Sequence, residues 1–359
     1  MKISASLSVL CFLVVVLNGA LVESRKSGNN FRYYYQLFVF GDSFADTGNL
    51  PKSDLSEVSR QWYSPYGTTS GIQTGRFSDG HVQTDFVATI LGRYRIAPTT
   101  YRVAKRFGDP AGMNFAHGGA GVFEVPRKAP TLSQQIGYFK EMIDNGILDK
   151  WNIKQSVAMI AISGNDYTQV ANMTSEKEMI AFVGKVMTEI AKCVKRLQKI
   201  GLGKVLVNNM HPLGCTPWQT RPANYTQCKI MPNMGTYYHN DGLNKKLNAA
   251  KSDAVYIVDL YRAFSSIVNP SDSTAIVLCV VPPDPPQVAR HFTHKLKPCC
   301  RSLDAEGYCG HVDDDGKKLY TLCDNPENHF YWDDVHPSEA GWDAVMEQLE
   351  RDMKDFLYP

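Results

Sequence analysis

The sequence predicts an α/β fold built on a mostly parallel central sheet. Four short apolar runs have the length and the flanking residues of buried strands: Gln36–Phe40, Ser156–Ile162, Lys204–Asn208 and Ala254–Asp259. Helical segments separate the later runs, and strands that alternate with helices form parallel sheets whose two faces are covered. The fold class rests on these runs and on this alternation.

The best-defined helix is predicted from about Ser175 to Ile200. Apolar residues recur there at the helical period, and Gly201 supplies a stop. A second helical stretch is predicted around Tyr237–Lys251, and a third, Tyr261–Ile267, follows the last strand. The proline-rich stretch Val280–Pro298 has the composition of a long loop, and no internal repeat or low-complexity linker divides the chain.

Composition agrees with one large globular domain. The chain has 359 residues, of which 43% are hydrophobic and 21% are charged, and its formal net charge is +2. These values are ordinary for a protein with a substantial core, and no basic cluster marks a nucleic-acid footprint. We predict a single domain over 30–359, no nucleic-acid partner, and make no prediction of oligomeric state.

The N-terminus predicts export. Lys2 precedes the apolar stretch Leu7–Leu17, and the small residues Gly19 and Ala20 follow it, which is the pattern of a signal peptide. The alternative is a membrane anchor, but a spanning helix needs about 20 apolar residues, more than this stretch provides. We predict a signal peptide over 1–24, with an approximate cleavage point, and a secreted, extracellular protein without stable membrane insertion.

The cysteines and glycan acceptors fit an exported chain. Nine cysteines are present, and removal of the signal peptide with Cys11 leaves eight. Asn172 and Asn224 begin two glycan acceptor patterns, and such a chain favours disulfides over free thiols. Cys193 lies within the helical pattern and is the candidate for an unpaired core residue. Proximity in sequence favours two pairs, Cys215 with Cys228 and Cys309 with Cys323.

A zinc site is the alternative use of the histidines and cysteines in the C-terminal third of the chain. These residues are His291, His294, Cys299, Cys300, Cys309, His311 and Cys323. Their spacing lacks the paired Cys-x-x-Cys signature of a zinc site, and an exported protein favours disulfide bridges. We therefore predict neither a metal nor an organic cofactor.

Two segments far apart in sequence carry the residue types of an activated hydroxyl nucleophile. The apolar run Leu37–Phe40 ends at Gly41-Asp42-Ser43, so Ser43 is expected at the carboxyl edge of the sheet, where open α/β folds carry their chemistry. Near the C-terminus, Asp333 and His336 lie three residues apart, which lets the carboxylate bind the imidazole while its other nitrogen faces the serine. The alternatives are an ordinary turn serine and a surface ion pair.

A serine nucleophile also needs donors for the oxyanion, and two glycine-rich turns can supply them. They are Asn114–Gly121 and Ser163–Tyr167, the second of which follows a predicted strand. A glycine lets its amide approach the substrate, and the side chain of Asn165 is a neutral donor; tight-turn and capping roles are the alternatives. The acidic neighbours Asp42 and Asp166 are expected to bond backbone amides around these turns.

These segments together resemble those of the GDSL, or SGNH, hydrolases, and several more are similar to the plant secreted esterase/lipase branch. The matching segments follow the family order and cover nearly all of the mature chain: Gly41-Asp42-Ser43, Asp46-Thr47-Gly48-Asn49, Gly75-Arg76-Phe77-Ser78-Asp79-Gly80, Asn114 to Gly121, Gly164-Asn165-Asp166, Pro212-Leu213-Gly214-Cys215, Asn325-Pro326, Tyr331-Trp332-Asp333 and Asp333-x-x-His336. The resemblance implies a three-layer α/β/α sandwich of the flavodoxin-like sort, with a mostly parallel central sheet.

The resemblance also implies a role for each part of the site. Ser43 is the expected nucleophile, His336 its base and Asp333 the residue that orients the base. The backbone amides of Ser43 and Gly119 and the side-chain amide of Asn165 are the expected oxyanion hole.

Three positions in or near the matching segments, Gly119, Phe44 and His117, bear on the expected site. Gly119 is preferred to Gly118 as the donor because of its offset of five residues from Asn114. Phe44 stands where the name motif of the family ends in leucine, and little effect is expected because both residues are apolar. His117 stands where many relatives carry a small or hydroxyl residue; it is expected to be a tolerated loop variant, with a role in substrate preference as the alternative.

The sequence thus predicts a secreted serine hydrolase, an esterase or lipase, that cleaves carboxylic esters through an acyl-enzyme on Ser43. The first alternative is an acyltransferase that passes the same acyl group to an alcohol. The second is a non-catalytic glycoprotein that binds a ligand with an inherited fold. Expected substrates are small-molecule, lipid or cell-wall esters, with lipid degradation among the expected roles.

Overall fold

The computed structural model describes most of the chain from Gln36 to the C-terminus. The described residues are 36–56, 59–71, 73–125, 128–173, 175–248, 252–269, 292–304 and 307–359. The predicted signal peptide, Thr174 of the first glycan acceptor, Cys279, His291 and most of the predicted loop Val280–Pro298 lie outside them. The described strands and helices fall in one compact unit, and the single domain over 30–359 stays a prediction.

The centre of the fold is a sheet of five parallel strands. They are β1 Leu37–Gly41, β2 Gly112–Asn114, β3 Val157–Ala161, β4 Lys204–Asn208 and β5 Val255–Val258. Their order across the sheet is β2-β1-β3-β4-β5, and every neighbouring pair is parallel. The predicted α/β class is confirmed, and the four predicted strands are present to within one residue at each end.

The sequence does not predict β2, because Gly112-Met113-Asn114 contains no apolar run. The strand exists through its pairing with β1, in which Leu37 lies opposite Gly112. A Cβ atom at Gly112 would lie 2.1 Å from the Leu37 carbonyl oxygen, so a glycine is needed for the two backbones to approach this closely. Tertiary pairing, which no local pattern records, decides this strand.

Six α-helices of two turns or more occur in the part of the chain that the structure describes. They are α1 Gln83–Ile90, α2 Leu132–Asp144, α3 Glu176–Ile200, α4 Ile230–Leu247, α5 Leu260–Val268 and α6 Glu339–Leu357. Helices α2, α3 and α4 share one apolar core with alternate strand residues such as Phe38 and Phe40, while α6 packs on α1, α5 and β5. Because successive strand residues face opposite sides of a sheet, helices cover both faces, and the predicted three-layer sandwich is confirmed. Helix α5 is the one predicted at Tyr261–Ile267.

Helix α3 confirms its prediction, whereas α4 begins seven residues earlier than predicted. Ser175 caps α3 by accepting the Glu178 N–H at 3.2 Å, and Gly201 ends it with a φ of 117°. The start of α4 is hidden by Pro232, which normally breaks a helix but here lies in the first turn, where its missing N–H has no intrahelical partner to lose. Asn248 then ends α4 in a left-handed conformation, before the predicted end.

The cysteine pairing confirms one predicted disulfide and corrects the other. The disulfides in the described residues are Cys215–Cys228, Cys299–Cys323 and Cys300–Cys309. The predicted pair of Cys309 with Cys323 is therefore wrong. Strands β6 Cys300–Ser302 and β7 Tyr320–Leu322 pair antiparallel, and this register brings the Cys323 N–H to the Cys299 carbonyl at 3.0 Å. Strand pairing thus places Cys323 beside Cys299, and Cys309 pairs with Cys300, nine residues away.

The described residues include Cys193 and all of the candidate zinc ligands except His291. Cys193 is buried and free, as predicted. The four cysteines of the alternative zinc site all form disulfides, and no group of three or more His, Cys, Asp or Glu side chains in the described ranges could hold a metal ion. Among the helices of those same ranges, none has the length and apolar character needed to cross a membrane.

Candidate active site

Ser43 lies in a tight turn directly after β1, at the carboxyl edge of the sheet. Strand β1 has β2 on one side and β3 on the other, so this edge is a topological switch point, where open α/β sheets bind ligands. Gly41 makes the turn possible, since its φ is 147° and a Cβ atom there would lie 2.0 Å from the Ala161 oxygen. The Asp42 N–H donates to that oxygen at 2.9 Å, which joins the ends of β1 and β3.

The structure brings the three predicted catalytic residues into one hydrogen-bonded chain. The Nε2 atom of His336 lies 2.8 Å from Oγ of Ser43, although the two residues are 293 positions apart. The Nδ1 atom of His336 lies 2.9 Å from each carboxylate oxygen of Asp333. In such a chain the imidazole can accept the hydroxyl proton, while the carboxylate fixes its tautomer and orientation.

The carboxylate of Asp333 is held by its own loop. Its Oδ1 accepts the N–H of Val335 at 2.9 Å and that of His336 at 2.8 Å, so the three-residue spacing forms a side-chain turn before α6. Its Oδ2 accepts the hydroxyl of Tyr66 at 2.8 Å. Burial would raise the Asp333 pKa, but His336 and the backbone donors outweigh it and hold this pKa below its usual range. The acid therefore stays ionised beside the imidazole.

Two backbone amides of the predicted oxyanion hole have no acceptor within the described ranges. Among the described residues, neither the N–H of Ser43 nor that of Gly119 makes a hydrogen bond. The N–H of Gly118, in contrast, donates to Oδ2 of Asp46 at 2.8 Å. An amide that already has a buried carboxylate acceptor is not available to an oxyanion, so the contacts support the choice of Gly119 over Gly118.

Asn165 lies next to the same strip of backbone, but its amide already has partners. Its Nδ2 donates to the Ala120 carbonyl at 2.9 Å and to Oδ2 of Asp42 at 3.2 Å. Asn165 therefore holds the carbonyl of Ala120, the residue that follows the predicted donor Gly119. An oxyanion would have to replace one of these two bonds for Asn165 to bind it, and the donor role of Asn165 stays a prediction.

Two buried acids hold the turns of the site together. Asp42 is fully buried and accepts the N–H and the hydroxyl of Ser163 at 2.6 and 2.8 Å. Burial raises the pKa of Asp42 to about 6, against the effect of these bonds. Asp166 accepts the N–H groups of Val122 and Phe123, both at 3.0 Å. The predicted bonding of both acids to backbone amides is confirmed.

Aromatic rings flank the imidazole. The ring centroids of Phe77 and Phe44 lie 5.0 and 5.9 Å from that of His336. The Phe77 ring also packs against the glycine-rich turn: a Cβ atom at Gly118 would lie 2.5 Å from it. Phe44, in the place of the family's leucine, stacks on His211 with centroids 4.9 Å apart. Two phenylalanine rings, those of Phe44 and Phe77, therefore flank the imidazole.

Sequence reasoning missed Tyr66, Phe77 and His211. Phe77 belongs to the matching segment Gly75–Gly80, which marked it as a family residue without revealing its contact with the imidazole. Tyr66 and His211 had no comparable signal, because only folding brings them to the site. His211 is fully buried, and burial lowers its pKa to about 3, so its ring is uncharged at neutral pH.

The structure describes the positions of His117 and of one glycan acceptor, Asn224. The Nδ1 atom of His117 lies 3.1 Å from the Gly118 carbonyl, beside the glycine-rich turn. Asn224 is exposed in a left-handed turn with a φ of 50°, an accessible place for a glycan. Asn172 begins the acceptor whose threonine lies outside the described residues. Glycosylation at both sites, and the alternatives for His117, stay predictions.

Comparison with known proteins identifies the family of this chain. The family model for GDSL-like lipase/acylhydrolases matches residues 37–349. One GDSL esterase/lipase of Arabidopsis thaliana is 37% identical over 328 residues, which cover 89% of this chain and 88% of that protein. A second one from the same plant is 39% identical over 329 residues, which cover 88% of this chain and 85% of that protein. A solved α/β hydrolase from the metagenome of Lake Arreo, Spain, matches 92% of this chain and 100% of its own, with a TM-score of 0.38 and 11% identity, a likeness too distant to support an argument. The chain belongs to the GDSL-like lipase/acylhydrolase family.

Proposed function

We propose that the protein is a secreted serine hydrolase that cleaves carboxylic esters through an acyl-enzyme on Ser43. The observation that carries this proposal is the hydrogen-bonded chain from Ser43 through His336 to Asp333, because it contains the parts that an activated hydroxyl nucleophile requires. Membership of a family of esterases and lipases supports the same reaction class.

The first half of the proposed reaction forms the acyl-enzyme. Nε2 of His336, 2.8 Å from the hydroxyl, accepts the Ser43 proton while Oγ attacks the carbonyl carbon of the ester. The imidazolium that results is stabilised by Asp333, whose ionised carboxylate lies 2.9 Å away. His336 then gives its proton to the leaving alcohol as the carbon–oxygen bond breaks.

The tetrahedral oxyanion needs donors that are unoccupied when it forms. The N–H groups of Ser43 and Gly119 meet this condition within the described residues. Asn165 can add a third donor if it exchanges its longer bond, the 3.2 Å contact with Asp42, for one to the oxyanion. The bond to Ala120 would then remain and keep the side chain in place.

In the second half, His336 deprotonates a water molecule that attacks the acyl carbon and releases the acid. An alcohol in the place of water would make the protein an acyltransferase, and no contact in the described residues favours that acceptor. Product analysis with a candidate alcohol present separates the two outcomes, since only a transferase yields a new ester.

Secretion rests on chemistry as well as on the predicted signal peptide. Three disulfides are present in the described part of the chain, and such bonds persist in oxidising compartments such as the extracellular space. The exposed position of Asn224 suits glycosylation during export. Small-molecule, lipid and cell-wall esters are all compatible substrates for an extracellular enzyme of this class.

The proposal is tested with p-nitrophenyl esters from acetate to palmitate. Replacement of a serine nucleophile costs on the order of 10⁶ in kcat, so the Ser43→Ala protein should fall to background. Ser133→Ala is the matched control, because Ser133 is an exposed residue of α2. Equal activity of wild type and Ser43→Ala would refute the assignment of the nucleophile, and the preferred chain length would separate an esterase from a lipase.

A further inference from the structure

The two oxygens of the Asp333 carboxylate are held by different kinds of donor. Oδ1 receives two backbone N–H groups, from Val335 and His336, at 2.9 and 2.8 Å. Oδ2 receives the hydroxyl of Tyr66 at 2.8 Å, and His336 Nδ1 lies 2.9 Å from both oxygens. Within the described ranges, Tyr66 is the one side chain besides the imidazole that bonds to this carboxylate.

The hydroxyl matters because the carboxylate has little access to water. Asp333 is 6% exposed, and a buried carboxylate stays charged only when donors replace its hydration. Without the Tyr66 hydroxyl, the imidazole N–H would be the one donor left to Oδ2 among the described residues, and Oδ1 lies equally close to that N–H. The carboxylate could then turn about its Cβ–Cγ bond and lose its alignment with His336, because one of its two oxygens would no longer be fixed.

Tyr66 is well suited to fix a position, because its ring is part of a second core. It is 3% exposed, and its ring meets that of Trp332 edge to face with centroids 6.1 Å apart. The other buried members of this core are Cys299, Cys300, Cys309 and Tyr320. The Cys300 N–H also donates to the Trp332 carbonyl at 2.7 Å, one residue before Asp333. A disulfide-linked core therefore supports both Tyr66 and the residue next to the acid.

We propose that Tyr66 is a positioning residue of the hydrolase site, whose hydroxyl fixes Oδ2 of Asp333 so that the carboxylate faces the Nδ1–H of His336. This inference rests on the proposed function, because it assigns Asp333 the task of orienting the base. Tyr66 acts through the acid across 267 positions of sequence, and the hydrogen bond of the Ser43 hydroxyl goes to His336 instead.

The test compares Tyr66→Phe with Tyr331→Phe. The Tyr331 hydroxyl is also buried, but it has no hydrogen-bond partner among the described residues. With p-nitrophenyl butyrate, Tyr66→Phe is expected to lower kcat by about tenfold to hundredfold, the range for a lost hydrogen bond to a charged group. KM is expected to stay within about twofold, because the substitution does not change how tightly the enzyme binds the ground state of the substrate. Tyr331→Phe should keep the kcat of the wild type.

A second readout does not depend on any substrate. The proton that His336 Nδ1 shares with Asp333 is expected as a low-field ¹H NMR resonance, identified by its loss in His336→Gln. Tyr66→Phe should shift this resonance and Tyr331→Phe should leave it in place. The resonance separates failure of the proposed function from failure of the inference about Tyr66. Full activity in Ser43→Ala would refute the proposed function. The shift of the resonance in Tyr66→Phe would still report whether Tyr66 acts on Asp333.

Two results would overturn the inference. One is a Tyr66→Phe protein with the kcat of the wild type and an unshifted resonance. The other is an equal loss of kcat and of Tm in Tyr66→Phe and Tyr331→Phe, which would reduce Tyr66 to ordinary core packing.

Discussion

Replacement of Asp333 by asparagine is the sharpest perturbation that the site offers. The amide keeps one oxygen, which is expected at the Oδ1 position because two backbone N–H groups already bond there. Its NH₂ group then occupies the Oδ2 position, 2.9 Å from His336 Nδ1. An N–H directed at Nδ1 requires that nitrogen to be bare, so the ring proton moves to Nε2 and faces Ser43.

The expected loss is large because the imidazole is held in the wrong tautomer. A ring with its proton on Nε2 cannot accept the proton of Ser43, whose Oγ is 2.8 Å away. The same substitution in the well-studied Ser-His-Asp triad lowers kcat by about 10⁴ through the same tautomer change, which corresponds to about 5 kcal/mol of transition-state stabilisation. We expect Asp333→Asn to lower kcat by a similar factor.

The neighbouring acid provides a matched control. Asp334 pairs with Arg221 and does not bond to the imidazole, so Asp334→Asn removes an equal charge one residue away. Its kcat is expected to fall by less than about tenfold, because only a through-space interaction with the site is lost. The assay is steady-state hydrolysis of p-nitrophenyl butyrate at pH 8, with circular dichroism to establish that both variants fold.

Two outcomes would refute this reasoning. A kcat for Asp333→Asn within tenfold of the wild type would mean that the base does not depend on this carboxylate. An equal loss in Asp334→Asn would mean that negative charge matters, and that the hydrogen-bond geometry does not.

Two further predictions concern stability. Gly41→Ala is expected to lower the free energy of unfolding by at least about 3 kcal/mol, because its Cβ would lie 2.0 Å from the Ala161 oxygen. Gly184→Ala in α3 should raise it by about 0.5–1 kcal/mol, because the new Cβ would meet nothing within 4 Å. Similar Tm values for the two variants would contradict this prediction. Burial raises the Asp334 pKa from 3.8 to about 6, so the stabilising contribution of this group is present below about pH 4 and lost as the pH rises through about 6. Urea unfolding should therefore show Asp334→Asn gaining stability over the wild type by up to about 3 kcal/mol between pH 4 and 7, and a difference independent of pH would exclude this cause.

Four of the five central strands and the residues of the proposed triad could be predicted because their signals are local. The run Leu37–Phe40 is fully buried and ends where Gly41 allows the turn, and both features can be recognised from residue types alone. The three-residue spacing of Asp333 and His336 predicted a contact that a loop turn makes. The helical periodicity of Glu176–Ile200 located its helix for the same reason.

Helix α1 shows why other elements could not be predicted. Its buried first turn is polar, with Gln83, Thr84 and Asp85, so the apolar period that marks a helix is weak there. Each of these side chains is paired inside the fold, and the Gln83 amide, for example, exchanges two hydrogen bonds with Asn208 at 2.9 and 2.7 Å. A buried polar face is stable only with such partners, and the partners of Gln83 and Thr84 lie 125 and 39 positions away in the sequence.

The sequence by itself determined the alternation of strands and helices, the turn at Gly41 and the residue types that make up the proposed triad. Only the tertiary structure decided that Tyr66 bonds to Asp333, that the Gly118 amide is occupied, and that Cys299 pairs with Cys323. The physical reason is one of range. Periodicity and turn chemistry are properties of a few consecutive residues, whereas a hydrogen bond or a disulfide forms between atoms that packing has brought to within about 3 Å.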